Sequence, residues 1–156
     1  MNDLKNNINI VKFGATSSSF CAPFLFVKYI TKFHEKNVYE REKYIGSILS
    51  KFDWFPKLLY SDDDNRFFIY RHVGVPLTVK NKPKNLEKQF NEILKDMKSV
   101  NVQHNDIKHG ELLIDKNNKI YLFFFGWGSI NNRLGCGIKL WDCDNKKKPG
   151  GFEDDN

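Results

Sequence analysis

Cysteine is scarce in this chain, and its three copies, Cys21, Cys136 and Cys143, are odd in number and form no close pair of the metal-binding kind. A disulfide scaffold and a zinc site are both disfavoured, and a reducing compartment is expected. Long apolar runs are missing as well; none approaches the roughly 18 residues that span a bilayer. The first residues, Met1 to Asn7, lack the apolar core of a secretion signal. The expectation is a soluble, cytoplasmic protein with no membrane role. Acidic residues are in deficit, Asp+Glu 19 against Lys+Arg 25, for a net charge of +6. Such a balance can serve nucleic acid, but the lysines are spread thinly and no recognised nucleic-acid motif accompanies them. A solvated Lys-rich surface is therefore favoured over a nucleic-acid partner. Also absent are a Gly-x-Ser-x-Gly nucleophile turn, a paired-carboxylate glycosidase pattern and zinc-ligand spacing.

What is present suits one domain. The chain has 156 residues, 40% hydrophobic and 28% charged, with 14 Phe as evident core material. Residues 8–13 alternate as a strand, and Gly14 to Cys21 reads as a small-residue turn that leaves backbone amides bare. Residues 24–30 form a β-branched and aromatic run, a second strand. From Val38 to Phe52 the pattern turns helical, with Glu42, Ile45, Leu49 and Phe52 on one face, and Pro56 stops it. Residues 57–60 and 66–73 read as a hairpin around an Asp-rich turn. Gly74 and Pro76 break that strand, 80–84 is a spacer, and 85–99 is an amphipathic helix. Short strands around 112–114 and 120–124 flank a turn, and 145–156 has the composition of a flexible charged tail.

The stretch richest in chemistry is His104-Asn105-Asp106-Ile107-Lys108, followed by an apolar triplet, a turn, a second apolar strand and Phe124-Phe125-Gly126. It resembles the protein-kinase catalytic loop, His-Arg-Asp-Leu-x-x-x-x-Asn, and the Asp-Phe-Gly turn after it. A plain polar turn is the alternative for so short a string. The resemblance implies that Asp106 accepts the proton of an attacking hydroxyl, that Lys108 touches the transferring phosphate, and that His104, Phe125 and Gly126 support the loop. It also exposes two departures. Glu111 stands where the loop Asn would bind metal, a degraded but still oxygen-bearing ligand. Phe124 stands where the metal-bridging Asp would be, and a phenyl ring ligates nothing. ATP has a place in this frame; Mg²⁺ is doubtful.

The resemblance extends more weakly through residues 8–130. Gly14, Thr16 and Ser19 occupy the frame of the phosphate-covering Gly-rich loop, though a plain hairpin turn fits equally. Leu25-Phe26-Val27-Lys28 fits the frame of Val-Ala-Ile-Lys, making Lys28 the phosphate-contacting lysine and Glu42 its ion-pair partner, with Glu40 the alternative. Glu42 sits on an apolar helix face, where a charge requires a partner. Tyr70 falls at the back of a nucleotide pocket and narrows it, with the backbone of Arg71, His72 and Val73 at the purine edge; an ordinary edge strand is the other reading. His34, His72 and His109 are read as structural or surface residues.

Only residues 127–156 follow Gly126, and no Ala-Pro-Glu anchor occurs. The resemblance thus implies an α+β kinase-like fold in compact form: a small antiparallel-sheet lobe with one helix at about 8–73 and a reduced helical lobe at about 74–144. Trimming of this kind, with Lys- and Asn-rich composition, suits a large-virus or AT-rich-genome source. The implied function is a pseudokinase with lost or weak phosphotransfer that acts by binding a protein partner. The alternative is a compact ATP-dependent phosphotransferase using Asp106 as base.

Overall fold

The computed structural model describes residues 9–13, 17–21, 25–30, 35–105, 107, 111–123, 125–130, 147–148 and 152–153. Among these the protein is a mixed α+β structure of small antiparallel sheets and two α-helices. The largest sheet has five strands in the order β1 (Asn9–Phe13), β2 (Ser17–Cys21), β3 (Leu25–Ile30), β5 (Phe67–Arg71), β4 (Leu58–Asp62). Helix α1 (Glu35–Leu49) connects β3 to β4.

Strand period sets the inner face of this sheet. Phe26 and Lys28 on β3 lie in register with Tyr70 and Phe68 on β5, and all four side chains are buried. Their neighbours Val27 and Ile69 are half-buried on the other face, as alternation requires. Helix α1 brings Val38, Glu42, Ile45 and Leu49, at helical spacing, into the buried interior. The aromatic corner Phe52, Trp54 and Phe55 follows the helix, with Phe52 stacked on Trp54 at 5.6 Å between ring centres.

A second sheet, in the order β6 (Val75–Pro76), β8 (Leu112–Ile114), β9 (Ile120–Leu122), is covered by α2 (Leu86–Ser99), which buries Ile93 and Met97. The Gln89 side chain ties α2 to the hairpin, donating to the Asn118 carbonyl at 2.8 Å and accepting from the Ile120 amide at 3.0 Å. Strand β7 (Val102–Gln103) pairs with β10 (Ser129–Ile130), and a single 3₁₀ turn spans Phe125–Trp127.

Three boundaries differ from the sequence reading. Residues 17–21, read as part of a turn, form β2, because pairing with β1 and β3 on both sides outweighs the weak strand propensity of three serines. Helix α1 begins at Glu35 rather than Val38, since Glu35, Lys36 and Asn37 are polar and add nothing to an apolar stripe. It ends at Leu49, before Phe52 and well before Pro56, and tight turns fill the interval. Within the segment read as a charged tail, β11 (Lys147–Lys148) pairs with β12 (Phe152–Glu153). No helix among the described residues is long and apolar enough to cross a membrane.

Candidate functional site

The site begins with a charge pair buried between sheet and helix. Lys28 Nζ lies 2.5 Å from Glu42 Oε1, and the two side chains are 1% and 3% exposed. Lys28 is there because strand alternation puts it on the inner face beside Phe68; Glu42 is there because it belongs to the apolar stripe of α1. Either charge alone would carry a desolvation penalty of several kcal/mol, so each requires the other. Aromatic rings surround the pair. Lys28 Nζ stands 5.9 Å from the ring centre of Phe123, whose face attracts the cation. Burial, and then the Glu42 carboxylate, push the Tyr70 hydroxyl well above its ordinary pKa, so it stays neutral.

Three polar clasps hold the following turn against this pair. Arg41, the neighbour of Glu42 on α1 and itself buried, donates from Nη2 to the Gly126 carbonyl. His104 Nε2 lies 2.7 Å from the Phe123 carbonyl; since a carbonyl only accepts, the proton sits on Nε2. Asn105, in the left-handed region at φ 65°, donates to Ser129 Oγ, which in turn donates to Gln103 Oε1. A column of rings backs these clasps: His104 against Phe125 at 4.6 Å, and Phe125 against Phe55 at 5.9 Å. The Phe55 ring also packs against α1 at Gly46, where a Cβ would meet it at ordinary contact distance, 3.7 Å.

Next to the ion pair is a cavity of about 180 Å³. Phe26, Tyr70, Leu113 and Phe123 wall it, and the strap from Arg71 to Pro76 closes one side. The strap lies close to β8 because Gly74 has no side chain; a Cβ at that position would stand 2.1 Å from the Ile114 carbonyl oxygen.

The structure therefore brings together Lys28 and Glu42 as an ion pair, and Tyr70, Arg71 and Val73 around one cavity. His104, Phe125 and Gly126 meet in the turn below. Ser19 occupies the register position opposite Lys28 on β2. Glu40 is not the partner of Lys28 in the pair described. Glu111 is buried at the start of β8, its carbonyl accepting from the Phe123 amide at 3.1 Å. Gly14, Thr16, Asp106, Lys108, His34, His109 and Phe124 lie outside the described residues. No group of three His, Cys, Asp or Glu side chains converges as a metal site among the described residues.

No protein-family model matches this sequence, and no curated protein matches it. Function must therefore come from the chemistry of these residues.

Four contributors escape a reading of the sequence. Arg41 stands beside the expected Glu42, and nothing in a helical stripe singles out a second buried charge one residue away. Phe26, Leu113 and Phe123 read as core filler; only the register places them around a common space.

Proposed function

We propose that the chain is a kinase-like nucleotide-cleft protein, a pseudokinase with lost or weak phosphotransfer that acts by binding a partner. The observation that carries this reading is the buried Lys28–Glu42 pair, joining the third strand of a five-stranded antiparallel sheet to the helix after it. An ion pair so deeply buried is weak evidence for stability, since apolar residues of similar volume would serve as well or better. Its retention points to a task for the charges. Further support comes from the element order, from the cavity flanked by the strap after β5, and from the His104–Phe123 clasp under the turn that holds Gly126.

Weak transfer follows from Phe124. Without a carboxylate at that position, the metal clamp on the transferring phosphate loses a ligand, which should remove several kcal/mol of transition-state stabilisation. A protein that keeps the cleft but not the clamp has binding left as its role. Calorimetric titration of ATP, once with Mg²⁺ and once with EDTA, tests this. Binding of similar strength in both buffers, with no phosphoryl transfer to a general acceptor, is expected.

The intact ion pair also favours a second reading, a compact phosphotransferase with Asp106 as base and Lys28 and Lys108 on phosphates. In that case Phe124→Asp should raise transfer strongly and Asp106→Asn should abolish it. No transfer from either form leaves the binding role alone.

A further inference from the structure

The five-stranded sheet has a second face, turned away from Lys28 and Tyr70, and apolar side chains fill it too. Register fixes its membership. Val27 lies opposite Ile69 there and Leu25 opposite Arg71, while the bulge between Leu58 and Tyr60 sets Tyr60 opposite Ile69 and Asp62 opposite Phe67. The result is an apolar stripe across β3, β5 and β4. Val27, Ile69 and Phe67 are half-buried in it; Leu25 is exposed, and Tyr60, 53% exposed, rests against Phe67 at 5.9 Å between ring centres. Leu59, at the bulge, is exposed beside them.

The two ends of this stripe carry opposite charge. Lys57 and Arg71 share one end, where the Arg71 amide donates to the Lys57 carbonyl at 2.9 Å, and both side chains are exposed. The other end is the turn Asp62-Asp63-Asp64-Asn65. Asp63 is taken by Lys43 and Tyr39 of α1, at 2.7 and 2.6 Å, and Arg66 leaves the turn half-buried. Asp62 stands on the outer face by its register with Phe67, and Asp64 is exposed beside it. The length of β5, Phe67–Arg71, separates the ends by about 14 Å, more than the ~8 Å over which physiological salt screens a charge. Each end therefore acts on a partner by itself.

This polarity selects the occupant. A nucleic acid or an anionic bilayer would meet the aspartates at one end, and a polybasic partner would meet Lys57 and Arg71 at the other. A surface that is basic at one end, apolar in the middle and acidic at the far end complements a second copy of itself turned end for end. The bulge in β4 also decides how the copies meet, because it breaks the regular ladder that a strand added at this edge would extend. Contact is then face to face.

We infer that the outer face of β3, β5 and β4 is a dimer interface, joining two copies of this chain about a two-fold axis that crosses the strands. Leu25, Tyr60, Phe67 and Ile69 supply the apolar middle, and the basic end of each copy meets the acidic end of the other. A face three strands wide is small beside the roughly 800 Å² that each partner gives to a standard interface, so the dimer is weak, with a dissociation constant above about 1 μM. The inference is independent of the nucleotide-cleft reading, since Phe26 and Tyr70 wall the cavity from the opposite face of the sheet.

Sedimentation velocity of the full chain from about 1 to 500 μM tests it. The weight-average mass should climb with concentration toward that of two chains. Tyr60→Asp, which sets a charge in the apolar middle, should weaken association about tenfold or more at an unchanged melting temperature. If that variant melts early, Leu59→Asp takes its place. Charge reversal reads the orientation. Arg71→Glu and Asp64→Lys should each weaken self-association about threefold or more. An equal mixture of these two variants should associate about threefold or more tightly than either alone, because in the mixed dimer each reversed charge faces an opposite one. A chain that stays monomeric at the highest concentration would overturn the inference and leave the face to a foreign partner. Undiminished dimerisation of a folded Tyr60→Asp or Leu59→Asp chain would overturn it as well, as would a mixture no tighter than its components.

Discussion

The two sides of this molecule bury different things. Between the five-stranded sheet and α1, the interior holds a lysine, a glutamate and an arginine among aromatic rings. Between α2 and the β8–β9 hairpin it holds Ile93, Met97, Leu122 and Ile120, while the polar bonds from Gln89 and Asp115 stay near the surface. Aliphatic packing of the second kind stabilises a fold with little risk, because no buried charge is left exposed to a lost partner. Packing of the first kind is precarious, and a chain that keeps it has a use for it. The contrast supports placing the proposed site on the sheet side.

The sharpest way to break the contrast is to remove one charge. Lys28→Met should destabilise the protein by about 3–5 kcal/mol, because Glu42 would remain buried and unpaired. Urea denaturation measures this directly. The double variant Lys28→Met/Glu42→Leu should recover most of the loss, since replacing both charges by apolar groups is commonly neutral or better. A double variant as unstable as the single one would mean that the pair holds the fold together, and the case for its functional retention would fail.

This same region shows what the sequence carries and what it withholds. A glutamate on an apolar helix stripe demands a partner, and the frame of the family resemblance supplied Lys28, 14 positions away, with Glu40 as the alternative acid. Strands β3 and β5 were open as β-branched and aromatic runs, and α2 as an apolar stripe at helical spacing. Arg41 was hidden, since its acceptor is a backbone carbonyl at Gly126, and carbonyls have no letter in the sequence. Strand β2 was hidden for a related reason: Ser17, Ser18 and Ser19 form a strand through the ladders on either side, which belong to the sheet rather than to the segment. The cavity was the least legible feature. Its walls come from β3, β5, β8 and Phe123, and no local pattern announces a space between them.

The strap between the two sides offers a smaller perturbation. Gly74→Ala would set a methyl 2.1 Å from the Ile114 carbonyl oxygen, so strap and β8 must separate. A loss of about 1–3 kcal/mol is expected, as for other overpacked sites. Ligand binding at the cavity should weaken with it, because the strap forms one wall. Unchanged stability and unchanged ATP binding would show that the close approach at Gly74 has no bearing on the site.

Alkaline pH should also separate the sides. Burial, with nearby carboxylates, raises the hydroxyl pKa of Tyr39, Tyr70 and Tyr121, and the first two lie on the sheet side. An unfolded tyrosine ionises near ~10, whereas these stay protonated to higher pH when folded. Above about pH 10 the unfolded state therefore binds fewer protons, and stability falls as pH rises; below it the contribution is fully present. Buried Tyr70 alone should account for about 1 kcal/mol by pH 11. Urea midpoints measured from pH 8 to 11 should follow this slope, and Tyr70→Phe should flatten it. An identical slope in that variant would remove Tyr70 from the account.

The weakest effect should come from an ion pair that reaches from the turns after α1 to the β8–β9 hairpin. Lys119 Nζ lies 2.9 Å from Asp53 Oδ2, a shorter contact than many surface pairs make, yet the two side chains are 35% and 84% exposed. Water screens the attraction, and two mobile side chains must be ordered to gain it, so Lys119→Ala should change stability by less than about 1 kcal/mol. Part of even that loss would come from the contact of Lys119 Nζ with the Tyr121 ring, 5.3 Å away, which Asp53→Ala distinguishes because it removes the carboxylate and leaves the ring in place. Lys28–Glu42 and Lys119–Asp53 are alike in chemistry and nearly alike in distance. If their variants nevertheless differ several-fold in effect, burial rather than contact is what sets the sheet side apart. If they match, the sheet-side pair is an ordinary surface-strength bridge, and its claim to mark a functional site goes with it.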